Sequence, residues 1–221
     1  MEQKSAYVIA SVLLLAVATA FALWADVLKI HVAVNTGDVD IKFSTSVTPS
    51  IYEDEYEGKN VASCTATYVQ DQDEENFVKQ KGLLPSTWNP ATGDNDLELV
   101  VTINNAYPGY LCKIDNTMIY NTGTIPVKIL VRIVDENGNI IRPTGTGLHK
   151  YIDVDGDNCP EIDLDASSIF STNGTQIHPG EFKTFSLVLY LPTERQQCIK
   201  ENHTYKFYVV FLGYQWNEFP S

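Results

Sequence analysis

Residues 127–139 read VKILVRIVDENGN, and this stretch decides the fold. The run from Val127 to Val134 is a strong strand, rich in branched apolar residues and long enough to cross a sheet. Asp135, Glu136, Asn137, Gly138 and Asn139 then turn the chain back, because Asn-Gly adopts positive φ at little cost, and Ile140 and Ile141 begin the return. Working outward, the same period of two recurs. Leu28, Ile30, Val32 and Val34 fall on one face of a strand whose other face carries Lys29, His31, Ala33 and Asn35. Val39, Ile41 and Phe43 resume it, and residues 62–69, 97–104, 114–120, 182–191 and 205–215 supply the rest. No long stretch beyond residue 25 has apolar residues at helical spacing. Eight to ten short strands with turn signals between them predict an all-β protein, an antiparallel β-sandwich of jelly-roll type. Residues 70–96 and 145–175 interrupt the rhythm and read as long surface loops, the first with a helical turn at 73–80.

The chain has 221 residues, 44% of them hydrophobic, enough for one sizeable core. Residues 6–25 carry no charge, and Ala18-Thr19-Ala20 and Ala20-Phe21-Ala22 offer the small-residue spacing of a signal-peptide cleavage site. The expected organisation is a cleaved signal at 1–22, an N-terminal strand segment at 23–37 and a sandwich domain at 38–221. The exported part holds Cys64, Cys112, Cys159 and Cys198 with no C-x-x-C pair, which points to two disulfides and an oxidising compartment. Three connectivities are open; the preferred one joins Cys64 to Cys112 and Cys159 to Cys198.

Lys and Arg number 15 against 28 Asp and Glu, a net charge of −13 that repels phosphate backbones and argues against a nucleic-acid partner. His31, His149, His178 and His203 are scattered, and no nucleophile elbow, phosphate-binding loop or dinucleotide fingerprint is present, so a non-enzymatic role is expected. The one cofactor suggested is calcium. Asp153, Asp155 and Asp157, with Glu161, Asp163 and Asp165 following, crowd hard oxygen donors into a short stretch. The spacing is not that of an EF-hand, and a solvated acidic loop is the other reading. Asn173-Gly174-Thr175 and Asn202-His203-Thr204 are glycosylation sequons in an exported chain.

Several short stretches, in order, carry a resemblance. They are Ala20-Phe21-Ala22, Asn35-Thr36-Gly37-Asp38-Val39-Asp40-Ile41-Lys42-Phe43, Asn104-Asn105-Ala106-Tyr107-Pro108-Gly109-Tyr110, Asn121-Thr122-Gly123-Thr124-Ile125-Pro126-Val127, His178-Pro179-Gly180-Glu181 and Gly213-Tyr214-Gln215-Trp216-Asn217. Together they resemble the TasA/camelysin-type biofilm fibre proteins, specifically the archaeal bundling pilins. The resemblance implies a jelly-roll subunit of an extracellular, cell-surface filament whose partner is itself. Each copy would polymerise head-to-tail by donor-strand complementation, filaments would meet laterally, and the result would support cell–cell adhesion or biofilm formation. Leu28, Ile30, Val32 and Val34 would be the donor residues. At ~1.5–3 kcal/mol each, their burial in a neighbour supplies on the order of 6–12 kcal/mol before ordering costs. The protease activity attached to the camelysin name has no residues to carry it here. Two other readings stand beside this one: a type IV-like pilin that retains its N-terminal helix, and a secreted or anchored adhesin that stacks glycans on its aromatic residues.

Overall fold

The stretch VKILVRIVD forms a nine-residue strand, and the turn after it closes as its residues require. Gly138 has φ +85°, and the Asp135 carboxylate accepts the backbone N–H groups of Asn137 at 2.8 Å and Asn139 at 2.7 Å. The structure, a computed structural model, describes residues 37–44, 46–54, 58, 61–69, 96–146, 149–165 and 173–215. The signal, the expected donor residues Leu28, Ile30, Val32 and Val34, and the helical turn expected at 73–80 lie outside the described residues.

The described chain is all-β, in two antiparallel sheets. Its strands are β1 (Ile41–Phe43), β2 (Ser50–Asp54), β3 (Ser63–Val69), β4 (Asp96–Asn104), β5 (Leu111–Asn121), β6 (Val127–Asp135), β7 (Ile140–Ile141), β8 (His149–Ile152), β9 (Ile162–Asp165), β10 (Gln176–Ile177), β11 (Phe182–Tyr190) and β12 (Tyr205–Gln215). Sheet I runs β8-β9-β11-β5, with β1 and β2 both on the far edge of β5. Sheet II runs β3-β4-β12-β6, with β10 and β7 both on the far edge of β6.

A bulge explains how β5 serves two short partners. Between Phe185 and Leu187 the register against β11 slips, and Asn116 on β5 takes φ +63°. Cys112 and Ile114 face inward before the slip, and Thr117, Ile119 and Asn121 after it, so the extra residue keeps both halves of β5 on the core. β2 pairs with residues before the bulge and β1 with residues after it.

Inward residues of both sheets share one core. Phe211 of β12 meets Phe43 edge-on at 5.9 Å and Phe185 at 5.5 Å between ring centres, bringing sheet II against two strands of sheet I. Sheet II is also buried on its other face, where Leu130, Val134, Val210, Leu212 and Tyr214 cluster. Burial on both faces is why β6 and β12 are almost continuously apolar. The stretch 145–175 departs from the loop expected there. It holds β8 and β9, which extend sheet I as a hairpin.

Candidate functional site

Asn121 ends β5, fully buried, and its carboxamide is shared three ways. Its Nδ2 donates to the carbonyls of Ile125 at 2.8 Å and Ile177 at 2.9 Å, and its Oδ1 accepts the Gly123 N–H at 3.0 Å. Its backbone takes in the His178–Glu181 turn, accepting the Gly180 N–H at 2.9 Å and donating to the Glu181 carbonyl at 3.0 Å. The Gly37–Asp40 segment lies against the same turn. The Asp40 carbonyl accepts the N–H groups of Thr122 at 2.9 Å and Gly123 at 3.1 Å, while Thr124 donates to the Asp38 carbonyl at 3.0 Å. The Asp38 N–H donates to Thr124 Oγ1 at 2.8 Å, and Thr122 Oγ1 to Asp40 Oδ2 at 2.8 Å. A Cβ on Gly123 would lie 2.3 Å from the Asp38 carbonyl oxygen, and one on Gly37 would lie 2.1 Å from Ile125 Cγ2. At Gly123 backbone passes where a side chain would sit, and at Gly37 the Ile125 and Thr124 side chains do. Three of the stretches that carry the resemblance are thus one hydrogen-bonded knot, and it holds the chain just after the expected donor segment.

Beyond the knot, β3 and β2 form a seam between the sheets. Among the described residues β3 pairs with β4 alone and β2 with β5 alone. Cys64–Cys112 joins β3 to β5 across this seam, and Phe43 stacks on Tyr68 at 4.1 Å. The Glu53 carboxylate accepts the Cys64 N–H at 2.5 Å and the Tyr110 hydroxyl. The core is incomplete here. Ala66 and Tyr68 are only partly buried, every residue of β2 is exposed, and Ile51, Tyr52 and Val61 stand open at 38%, 61% and 58%. Sequence reasoning missed β2, since a strand exposed on both faces has no apolar alternation to announce it.

The second disulfide, Cys159–Cys198, fastens the acidic loop to the segment before β12. Asp153 Oδ1 accepts the Gly156 N–H at 2.8 Å and its Oδ2 the Asn158 N–H at 2.7 Å, which curls the loop tightly. The carboxylates brought together are Asp153, Asp155 and Glu161, one oxygen of each lying within 4.8 Å of the others. Asp157, expected among them, turns outward to Lys200 Nζ at 3.0 Å, which also meets Asp155 at 2.5 Å. The Lys200 hydrogen bond holds the Asp157 carboxyl below its ordinary value. Glu161 is fully buried; its Oε1 accepts the Val154 N–H at 2.8 Å and its Oε2 has no hydrogen-bond partner. Burial, with the charges of Asp155 and Asp153 behind it, pushes the Glu161 carboxyl up to about 8. The sequence places Glu161 in the acidic stretch but does not mark it as the buried member.

Both sequon asparagines, Asn173 and Asn202, are exposed, and Asn173 Oδ1 accepts the Val131 N–H at 2.7 Å on the edge of β6. His149 bonds Asp163 at 2.6 Å. A cleft of about 580 Å³ beside β7 is lined by Arg132, Arg142, Lys150 and Asn173 among apolar residues, and none of the described residues that line it is aromatic. No protein-family model matches the chain, and no curated protein or solved structure is significantly similar to it.

Proposed function

We propose that the protein is a structural subunit of an extracellular filament, a jelly-roll sandwich that polymerises head-to-tail when the N-terminal strand of one copy, residues 28–34, completes the seam of the next. The observation that carries this reading is the open edge of β3. It offers seven residues of backbone that pair on one side only among the described residues, beside exposed Ile51, Tyr52 and Val61 and a partly uncovered core at Ala66 and Tyr68. An unpaired edge beside exposed apolar side chains is what strand addition consumes: main-chain hydrogen bonds supply affinity, and alternate side chains fill the gap. Leu28, Ile30, Val32 and Val34 supply four apolar residues on one face of a strand of matching length. The knot at Gly37–Asp40 supports the same reading, because it fixes the backbone directly after the proposed donor segment. A head-to-tail contact that does not close on itself propagates as a fibre.

Deleting residues 23–36 tests the proposal. The truncated protein is expected to fold and stay monomeric, and to bind an added peptide of residues 26–36. Fibres formed normally by the truncated protein would refute it.

A further inference from the structure

We propose that Asp153, Asp155 and Glu161 hold a divalent cation, calcium by the chemistry of the donors, between the β8–β9 hairpin and the segment that precedes β12. The inference does not depend on the filament reading. It rests on two observations that converge. Three carboxylates present oxygens within 4.8 Å of one another, a separation that suits ligands of one ion and that bare carboxylates resist. Separately, Glu161, one of the three, is fully buried, and its Oε2 meets no protein donor. A buried carboxylate oxygen without a donor is costly unless a positive charge or a proton answers it.

The donors are all hard oxygens, and all four cysteines are in disulfides, so zinc and other soft-ligand ions do not suit the set. Calcium tolerates the irregular coordination a short loop provides, whereas magnesium holds its water and requires a near-octahedral shell. The loop is already curled. Asp153 caps the N–H groups of Gly156 and Asn158 while each of its oxygens keeps a second lone pair, and Cys159–Cys198 holds the loop's end. Lys200 is a competing cation at the rim, since its Nζ meets Asp155 and Asp157 on the solvent side.

The test uses the protein stripped with chelator and titrated with calcium chloride and, separately, magnesium chloride, read by calorimetry and by the thermal midpoint. One calcium per chain is expected at this site, with a midpoint raised by several degrees and a clear preference over magnesium. Glu161→Gln keeps the shape and removes the charge, and is expected to weaken calcium binding by about tenfold or more. Asp157→Asn is expected to leave affinity within about threefold, because that carboxylate faces Lys200 instead of the cluster. Lys200→Met, at an exposed side chain, is expected to strengthen binding by roughly severalfold through loss of the competing charge. No response of the unmodified protein to millimolar calcium overturns the inference. So does calcium binding that Glu161→Gln leaves unchanged, or a Lys200→Met variant that binds more weakly.

Discussion

Replacing Cys64 and Cys112 together with alanine opens a cross-link between residues 48 apart, and replacing Cys159 and Cys198 opens one between residues 39 apart. Loop-closure entropy assigns each disulfide about 4 kcal/mol, with roughly 0.2 kcal/mol between them, so chain entropy alone predicts equal losses. Packing breaks the tie. Cys64 and Cys112 are 6% and 0% exposed within the shared core, whereas of the other pair only Cys198 is buried, at 4%, and Cys159 is partly exposed on a loop. Emptying two core sites of a sulfur adds about 1 kcal/mol each. Cys64–Cys112 also joins the two sheets at a seam where no strand pairing does. The Cys64→Ala/Cys112→Ala protein is therefore expected to lose about 6 kcal/mol, a large share of a domain's stability, against about 5 kcal/mol for the other pair. Urea denaturation of both double variants, read by intrinsic fluorescence, measures the difference. In graded reductant, thiol labelling should appear first at Cys159 and Cys198. A larger loss from the Cys159–Cys198 pair, or labelling of Cys64 before Cys159, would refute the reasoning.

Gly123→Ala is expected to cost about 2–4 kcal/mol, because its Cβ would lie 2.3 Å from the Asp38 carbonyl oxygen and 2.7 Å from the Asp40 nitrogen. Gly156→Ala, with open space around its Cβ and only φ +76° against it, should cost about 1 kcal/mol in the same denaturation series. In chelator, Glu161 makes stability fall as pH rises. The native carboxyl keeps its proton up to about 8 while the unfolded one releases it near 4.5, so that contribution is complete below 4.5 and gone above about 8. The metal-free Glu161→Gln protein should accordingly gain on its parent by a few kcal/mol between pH 5 and pH 8.5; parallel pH profiles for the two would contradict this.

What the sequence disclosed follows from what each residue's surroundings ask of it. β6 and β12 were legible because burial on both faces fills them with apolar residues, and the Asp135–Asn139 turn because it is made by its own residues, Gly138 at positive φ and the Asp135 carboxylate. β8 and β9 were hidden by length and chemistry. Four residues such as Ile162–Asp165 give alternation too little room, and Asp163 is buried through its place in the sheet, which its polarity does not forecast. β5 was read as 114–120, across the bulge at Asn116 that shifts its alternation by one residue, and begins three residues earlier, at Leu111. The acidic loop was visible as composition, yet preferring Glu161 to Asp157 required knowing which carboxylate the disulfide and the hairpin turn inward. Asn121 looked like a turn residue, and only the approach of the 178–181 turn makes its carboxamide structural.

The knot and the seam lie at opposite ends of the same strand, and this sets how the proposed filament would bear load. Tension from the preceding copy would enter at Gly37 and pass into β5 through the hydrogen bonds between Asp38–Asp40 and Thr122–Thr124. It would run along β5 from Asn121 to Cys112, cross to β3 through the covalent bond to Cys64, and leave through the donor strand paired on the edge of β3. The disulfide thus gives this crossing a covalent link, where among the described residues the sheets share no strand pairing. The knot is held only by hydrogen bonds, but Phe43 behind it is buried in the core and Ile41 is fully covered. Peeling β1 from β5 would have to expose both side chains at once, at about 1.5–3 kcal/mol each, in addition to breaking the bonds. In the proposed filament, a covalent tie at the exposed seam and an apolar anchor at the buried end would therefore reinforce opposite ends of one load path, and a β1 of three residues would suffice to carry it.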